Sequence, residues 1–556
     1  MGLSSSCCQE EELVEGPKEP PEVVHSHSRA PSSSSSSDAV PPVAVPALTS
    51  PSAGTLGSRP SRTLSKWSRL QDMRHLEVDA EIVRGISLHA SLRNLGLLWC
   101  KSPIDLAEEG RRHLYDRSAP VVAYDIFLSH TWQTPGRYKV LSLLFQAGWK
   151  HMLQLWSVSV VSAFVLSFCN VLPLPFSIVP EFAEYHAHHC PYFPWCLVFS
   201  FVGSFLGLVL TPYFPALCGR HPVCFLDVVS IHQVDQELME RGVYGLGGFL
   251  RVSKELRVLW SAPYLSRLWC VFELAAYRKA NPDGRMVLAP LFIEAGVLLS
   301  LLGTYFAAFL FAVGFALDWQ SLEIRFVGYV LGLAPIYVLM HLFRRTNMAK
   351  LKLLSDLQTF DLAQADCRTD FDREFIHRAI TEWYGSKENF TQYVRGPLRG
   401  ELLGSNKEIL PLQYILLVST VTFSASLDNI IALDLGQVPL YWQLAQAIAN
   451  CCGFHLCWFV MFLKLCIFLC DRFAAPMFPG LLDFVQTFVL FGAGVAFYYV
   501  GAELSRRAYL ASLEASIAWA LSACLLAVLS FFTDRIVNHR FHSSQRADGS
   551  AARSGP

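Results

Sequence analysis

The chain has 556 residues, 52% of them apolar and only 16% charged, with a mean hydropathy of +0.34. Soluble proteins carry about 25% charged residues, so an ordinary soluble enzyme is excluded as a first reading and a membrane protein is indicated. The 45 basic and 46 acidic side chains leave a net charge of −1, which gives no basic field for a nucleic-acid backbone, and no nucleic-acid partner is expected. Sixteen cysteines fit neither a secreted disulfide framework nor a paired-CxxC zinc site, and read as packed thiols.

Residues 1–61 are rich in Ser, Pro and Glu, including the run Ser32 to Ser37, and cannot bury enough surface to fold. They open Met-Gly-Leu-Ser-Ser-Ser, the acceptor pattern for myristate on Gly2 with Ser6 at the favoured position, followed by Cys7-Cys8. Two lipid signals would anchor this end stably; the alternative is a chance match in a serine-rich tail. Residues 62–120 are mixed and mildly basic, with helix-like spacing around Leu88, Leu92 and Leu95.

A bilayer core needs about 20 consecutive apolar residues in helical form, and about eight runs qualify. They are Met152 to Leu172, Trp195 to Leu217, Ala295 to Leu317, Phe326 to Phe343, Ile409 to Leu433, Leu444 to Cys470, Leu481 to Val500 and Leu513 to Phe532. The turn Pro180 to Pro194 contains no Lys or Arg, and Asp318 to Ile324 is acidic, whereas the fourth run is followed by Arg344, Arg345, Lys350 and Lys352. The Lys/Arg bias therefore predicts cytosolic N- and C-termini and cytosolic islands, with Arg506-Arg507 as the exception. Asn389-Phe-Thr391 is a glycosylation sequon expected to stay bare in this topology.

Between the runs lie soluble segments. Val121 to Ser129 reads as a strand followed by a helix from Tyr138 to Ala147; Val223 to Val229 is a second strand. After a loop with Gly242, Gly245, Gly247 and Gly248 come a helix-like run to Glu255, a strand Leu256 to Trp260, a helix Ser266 to Ala280 and a strand Met286 to Ile293. Alternating strands and helices imply a parallel sheet covered on both faces, with ligands at the carboxyl ends of the strands. Those ends carry Ser129-His130-Thr131-Trp132, Asp227 and Ser261 to Tyr264.

Three blocks in order resemble the Toll/interleukin-receptor (TIR) domain in its divergent protist and algal form. Tyr124-Asp125-Ile126-Phe127-Leu128-Ser129-His130 resembles the opening box, Phe225-Leu226-Asp227 the second, and Ser261, Tyr264, Ser266 with Trp269-Cys270-Val271-Phe272-Glu273-Leu274 the third. The resemblance covers Val121 to Ile293 minus the first membrane hairpin. It departs from the family in that hairpin, in a long loop from Asp227 to Gly242, and in lacking a fifth strand and last helix, for which Leu357 to Leu362 and Asp370 to Tyr384 are candidates.

The predicted fold class is thus an α-helical polytopic membrane protein carrying a cytosolic α/β TIR-like domain, a flavodoxin-like parallel sheet split by a transmembrane hairpin. The segments are 121–151 and 218–294 for the domain, 152–217 and 295–343 for the two hairpins, and 344–408 for an island that completes the domain or binds a partner. Residues 409–532 hold the last four spans and 533–556 a disordered tail.

Some TIR domains hydrolyse NAD, and the resemblance carries their catalytic carboxylate onto Glu273, with Ser129, His130, Trp132, Asp227, Trp269 and Cys270 as the surrounding nucleotide-binding candidates. A fixed carboxylate would stabilise the oxocarbenium-like ribose left by nicotinamide. The same helix also occurs in TIR domains that only assemble, where Trp269 and Cys270 pack and Glu273 caps or pairs. The resemblance implies homotypic self-association, with membrane lipid as the other partner and NAD as substrate without a required cofactor. A transporter or channel with a regulatory domain, or a non-enzymatic adaptor, are the competing readings.

Other side chains have readings of their own. Glu184, His186, His188, His189 and Cys190 crowd the first outer turn, but close spacing alone is no metal cage, and no metal site is assigned. Asp428, Asn429, His455, Lys464 and Asp483 fall within membrane runs, where ionisable groups suggest ion or proton paths; packing and interfacial solvation compete with transport, with Lys464 reaching toward Asp471.

Overall fold

The computed structural model describes residues 66–531 apart from 72, 101, 183–184, 186–188, 217–219, 317–321, 406–410 and 478–479. The acylation pattern at Gly2, Cys7 and Cys8 and most of the outer-turn histidines lie outside the described residues.

A six-stranded sheet is assembled from segments far apart in sequence. Strands β1 (Arg84–Ser87) and β2 (Ala119–Pro120) come from the stretch before the first box, and β3 (Ile126–Ser129) follows. The helix after it, α1 (Gly136–Phe168), is 33 residues long and so about 50 Å in length. It begins as a cover of the sheet, with Val140 and Leu143 packed among Ile126, Leu128 and Leu259, and continues without a break into the membrane bundle, where Phe145 and Met152 belong to a second core. Sequence reading separates this helix from the first span; the structure joins them.

At the far end of α1 a two-stranded hairpin, β4 (Phe176–Ile178) and β5 (Cys190–Tyr192), turns the chain into α2 (Trp195–Leu210). α2 returns along α1 through Gly203 and Gly207, a small-xxx-small pair. A Cβ on Gly203 would lie 2.7 Å from the carbonyl oxygen of Leu155, and one on Gly207 2.6 Å from that of His151. Only glycine permits backbones this close.

The chain then re-enters the sheet as β6 (Val223–Phe225), β7 (Glu255–Trp260) and β8 (Arg285–Pro290), with α3 (Leu268–Ala280) crossing between the last two. The strand order is β2-β1-β6-β3-β7-β8; β6, β3, β7 and β8 are mutually parallel, while β1 pairs antiparallel with β6 and β2. Both faces are buried, as a parallel sheet requires. Phe127, Phe225, Leu256, Val258 and Trp260 point to one core, and Ile126, Leu128, Cys224 and Leu259 to the other. The second strand stops at Phe225, because Asp227 to Ser230 forms a short helix, and the fourth stops at Pro290.

A single residue, Leu291, separates β8 from Phe292, the start of α4 (Phe292–Ala316). The return helix α5 (Leu322–Thr359) contains the Phe326 to Phe343 run and carries Leu353 and Leu357 back into the sheet's core. The expected strand at Leu357 to Leu362 is therefore overturned: that stretch is the end of α5 and a 3₁₀ turn at Leu362–Gln364. Just past that turn Asp366 forms a parallel bridge with Arg267. The expected helix is present as α6 (Asp370–Tyr384), capped by the Thr369 side chain and ended by Gly385 at φ +82°. Its Phe375, Ile376, Ala379 and Ile380 fill the core beside Phe272.

The remaining long helices are α7 (Leu412–Leu435), α8 (Leu440–Arg472), α9 (Leu482–Ala511) and α10 (Leu513–Phe531). Among the described residues, seven helices are long and apolar enough to cross a membrane: α1, α2, α4, α7, α8, α9 and α10. This is the architecture of a helical, multi-pass membrane protein with a parallel-rich sheet built into it.

Two of the charged groups in the membrane runs, for which packing competes with transport as a reading, have packing partners. Asp428 caps the start of α2, accepting from the backbone N–H of Cys196 at 2.8 Å and Leu197 at 3.1 Å, where the helix dipole favours an anion. Asp483 pairs with the buried Arg344. Lys464 does not reach Asp471; it donates to the Ser530 carbonyl at 2.9 Å, and Asp471 is held by Lys350 at 2.8 Å.

Candidate functional site

Central strand β3 ends at Ser129, and the residues that follow it leave the sheet at its carboxyl edge. Ser129 is fully buried and on the same face as Phe127, which turns its hydroxyl toward α3. There it donates to Glu273 Oε2 and is joined by the buried Tyr264 hydroxyl. Because Ser129 has a single proton and gives it to Glu273, the Tyr264 O–H donates to Ser129 Oγ. Burial raises Glu273 to about 8; the Ser129 hydrogen bond opposes the shift and the nearby Asp227 charge adds to it. A half-buried carboxyl with this proton affinity can hold or release a proton near neutrality.

Beside it, Trp132 Nε1 donates to Asp227 Oδ2 at 2.8 Å, joining the ends of β3 and β6. His130 is 3.8 Å from the other Asp227 oxygen, and its ring lies between Trp99 and Trp132, at centroid distances of 5.3 and 4.9 Å. Burial lowers His130 to about 4 against the attraction of Asp227, so the ring is neutral at pH 7 and is a packed polar group rather than an acid or base. Cys270 is buried, its Sγ directed at the His130 carbonyl at 3.5 Å, and burial pushes its thiol up, out of the nucleophilic range.

Of the seven sequence-predicted site residues, Glu273, Ser129, His130, Trp132, Asp227 and Cys270 come together. Trp269 does not join them: it packs on Tyr244, Phe272 and Phe375 beneath α6. The glycines at 242, 245, 247 and 248 form no phosphate-cradling loop. They belong to or join the helices Gln236–Tyr244 and Leu246–Arg251, and Gly247 sits against the His75 carbonyl, where a Cβ would come within 2.1 Å.

Sequence reading misses two neighbours. Trp99 comes from the segment before the first box, whose pattern says little. Lys139, in the first turns of α1, is fully buried with its Nζ 4.8 Å from the Trp132 ring centroid and without a hydrogen-bond partner among the described residues. Lysines are almost never fully buried, so pattern reading assigns them to the surface. Among the described residues no group of His, Cys, Asp and Glu is arranged to hold a metal ion. Compared with family models, curated proteins and solved structures, the chain matches none.

Proposed function

We propose that this chain is a membrane-localised signalling protein whose split TIR-like domain self-assembles and, through Glu273, cleaves the nicotinamide–ribose bond of NAD. The observation that carries the reading is the Glu273 carboxyl itself, held by Ser129 at the carboxyl edge of the central strand with its proton affinity raised to about 8. The parallel order β6-β3-β7-β8 supports the resemblance, because it is the second-first-third-fourth order of flavodoxin-like sheets, whose ligands collect at that edge.

In this reaction water adds to the ribose C1′ while the bond from C1′ to the nicotinamide nitrogen breaks. The bonding pair goes to the ring nitrogen, and the products are nicotinamide, ADP-ribose and one proton. Ionised Glu273 stabilises the positive charge that develops on the ribose and accepts the proton of the attacking water. Trp132, fixed by Asp227, offers an aromatic edge to the nucleotide. NAD is the substrate, and no further cofactor is required. Membrane lipid and further copies of the chain are the partners, and both termini face the cytosol.

The test is nicotinamide release from NAD by the purified full-length chain in lipid, wild type beside Glu273→Gln. The reading expects a loss of roughly 100-fold or more in the variant. Wild-type turnover by Glu273→Gln removes the enzymatic reading, and assembly without turnover in the wild type leaves an adaptor. Substrate-dependent flux in liposomes, insensitive to Glu273, identifies a transporter.

A further inference from the structure

A cavity of about 690 Å³ lies within the helix bundle, lined by none of the residues of the Glu273 site. Its volume is in the roughly 300–1,000 Å³ class that encloses a drug-sized molecule. One end is lined by Glu181, Arg506 and Tyr509, the other by Phe343, Cys466 and Cys470. The first end lies beside the β4–β5 hairpin, where Tyr509 donates to Glu181. Asn450 is at the same depth, because it accepts from Ser505, the neighbour of Arg506, at 2.6 Å. Asn429, two turns from the end of α7, also lines this polar end. Toward the sheet the walls become apolar.

The helix that supplies Asn450 and His455 is unusual. Residues Ala447–Trp458 of α8 form a π-helix, a geometry that accounts for well under 1% of residues and recurs at functional sites. The widened backbone is supported from outside, with Trp519 Nε1 donating to the Ala449 carbonyl at 3.2 Å. His455 lines the cavity, and its buried Nδ1 has no hydrogen-bond partner among the described residues.

Charge narrows the occupant. Arg506 is held twice by Glu503, at 2.8 and 3.1 Å, Arg507 is held by the same carboxylate at 2.8 Å, and Glu181 accepts from Tyr509. Among the described residues the two arginines at this end are matched by two carboxylates, Glu503 and Glu181, so it offers amides and hydroxyls but no net positive charge for a fatty acid or a phosphate headgroup. The volume suits one compact, drug-sized molecule.

We infer that this cavity binds a neutral amphiphile of the bilayer, of the sterol class, with its hydroxyl at Asn429 and Asn450 and its rigid hydrocarbon body running toward Phe343. The inference is independent of the chemistry at Glu273. The test is saturable binding of tritiated cholesterol to the full-length chain in detergent, with oleate and phosphatidylcholine as competitors. Two variants accompany it: Ala312→Trp, which takes up cavity volume near the hairpin end, and Asn429→Leu, which removes a head-group partner. The expected result is one saturable site, weakened about tenfold or more in both variants and resistant to both competitors. Should Ala312→Trp fail to give monodisperse protein, Asn429→Leu decides alone. Absence of saturable binding to the wild type, unchanged binding in a folded variant, or displacement by oleate as effective as by unlabelled cholesterol overturns the inference.

Discussion

Ser129, the last residue of the central strand, gives its hydroxyl proton to Glu273 on the helix packed across it. The bond ties a strand end to a carboxyl that burial raises from its ordinary 4.5 to about 8. Folding therefore favours the protonated acid. The stability this group contributes is full below about pH 4.5 and is lost as pH rises through about 8. Glu273→Gln, which cannot ionise, removes that dependence. Thermal unfolding of the two proteins in matched detergent is expected to show the variant gaining on the wild type from pH 5 to pH 9; a constant difference across that range contradicts the assignment.

Ser129→Ala removes the one interaction that lowers Glu273, while Tyr264 loses its bond to Ser129. The carboxyl then titrates at a still higher pH. Infrared difference spectra of the carboxyl stretch, recorded on both proteins across pH 6–10, are expected to show the midpoint displaced upward in the variant. A midpoint that stays put means Ser129 does not set the proton affinity.

The close crossing of α1 and α2 rests on Gly203 and Gly207 facing backbone carbonyls. Gly207→Leu forces the helices apart at a point where the sheet domain continues directly into the bundle. Overpacking of this kind costs about 1–3 kcal/mol. The expected outcome is a lower unfolding temperature together with loss of native tryptophan fluorescence around the sheet, since α1 serves both cores. A variant as stable as the wild type shows the crossing to be looser than described.

Arg344 and Asp483 form a buried pair, with Arg344 also donating to Thr487 at 2.8 Å. Removing one partner strands the other charge, at a cost of about 3–5 kcal/mol, whereas replacing both by leucine restores most of it. A double-mutant cycle on detergent-solubilised protein reads this directly: Arg344→Leu and Asp483→Leu each destabilise, and the double variant recovers. Additive losses contradict the pairing. Asp428→Ala, which uncaps α2, is expected to cost about 0.5–2 kcal/mol in the same assay.

Much of the sheet is legible in the sequence because alternation writes both cores into it: Ile126 and Leu128 face one side, Phe127 the other. The helix Asp370–Tyr384 is equally readable, since Thr369 and Gly385 are ordinary start and stop signals. What pattern hides is continuity. Lys150 and His151 seem to separate a soluble helix from a span, yet His151 is buried with its ring stacked on Phe214, and one helix runs through. The same continuity on the return side turns an apparent strand at Leu357 into the end of a helix that began in the bundle. Strand β1 is four residues long, Arg-Gly-Ile-Ser, too short to show a period. At the site, five of the six convergent residues stand in strand-end and helix positions that the three boxes mark, and Trp132 lies two residues past the first box. Lys139 escapes because nothing local distinguishes a buried lysine from a surface one.

The most direct measurement of the central claim is the pH–rate profile of nicotinamide release from NAD by the full-length chain in lipid vesicles, with Glu273→Gln and Ser129→Ala run in parallel. The account predicts turnover by the wild type that rises as pH passes through about 8, a profile moved to higher pH by Ser129→Ala, and background release by Glu273→Gln. No release above background from the wild type at any pH, or a Glu273→Gln profile that overlays it, would contradict the account.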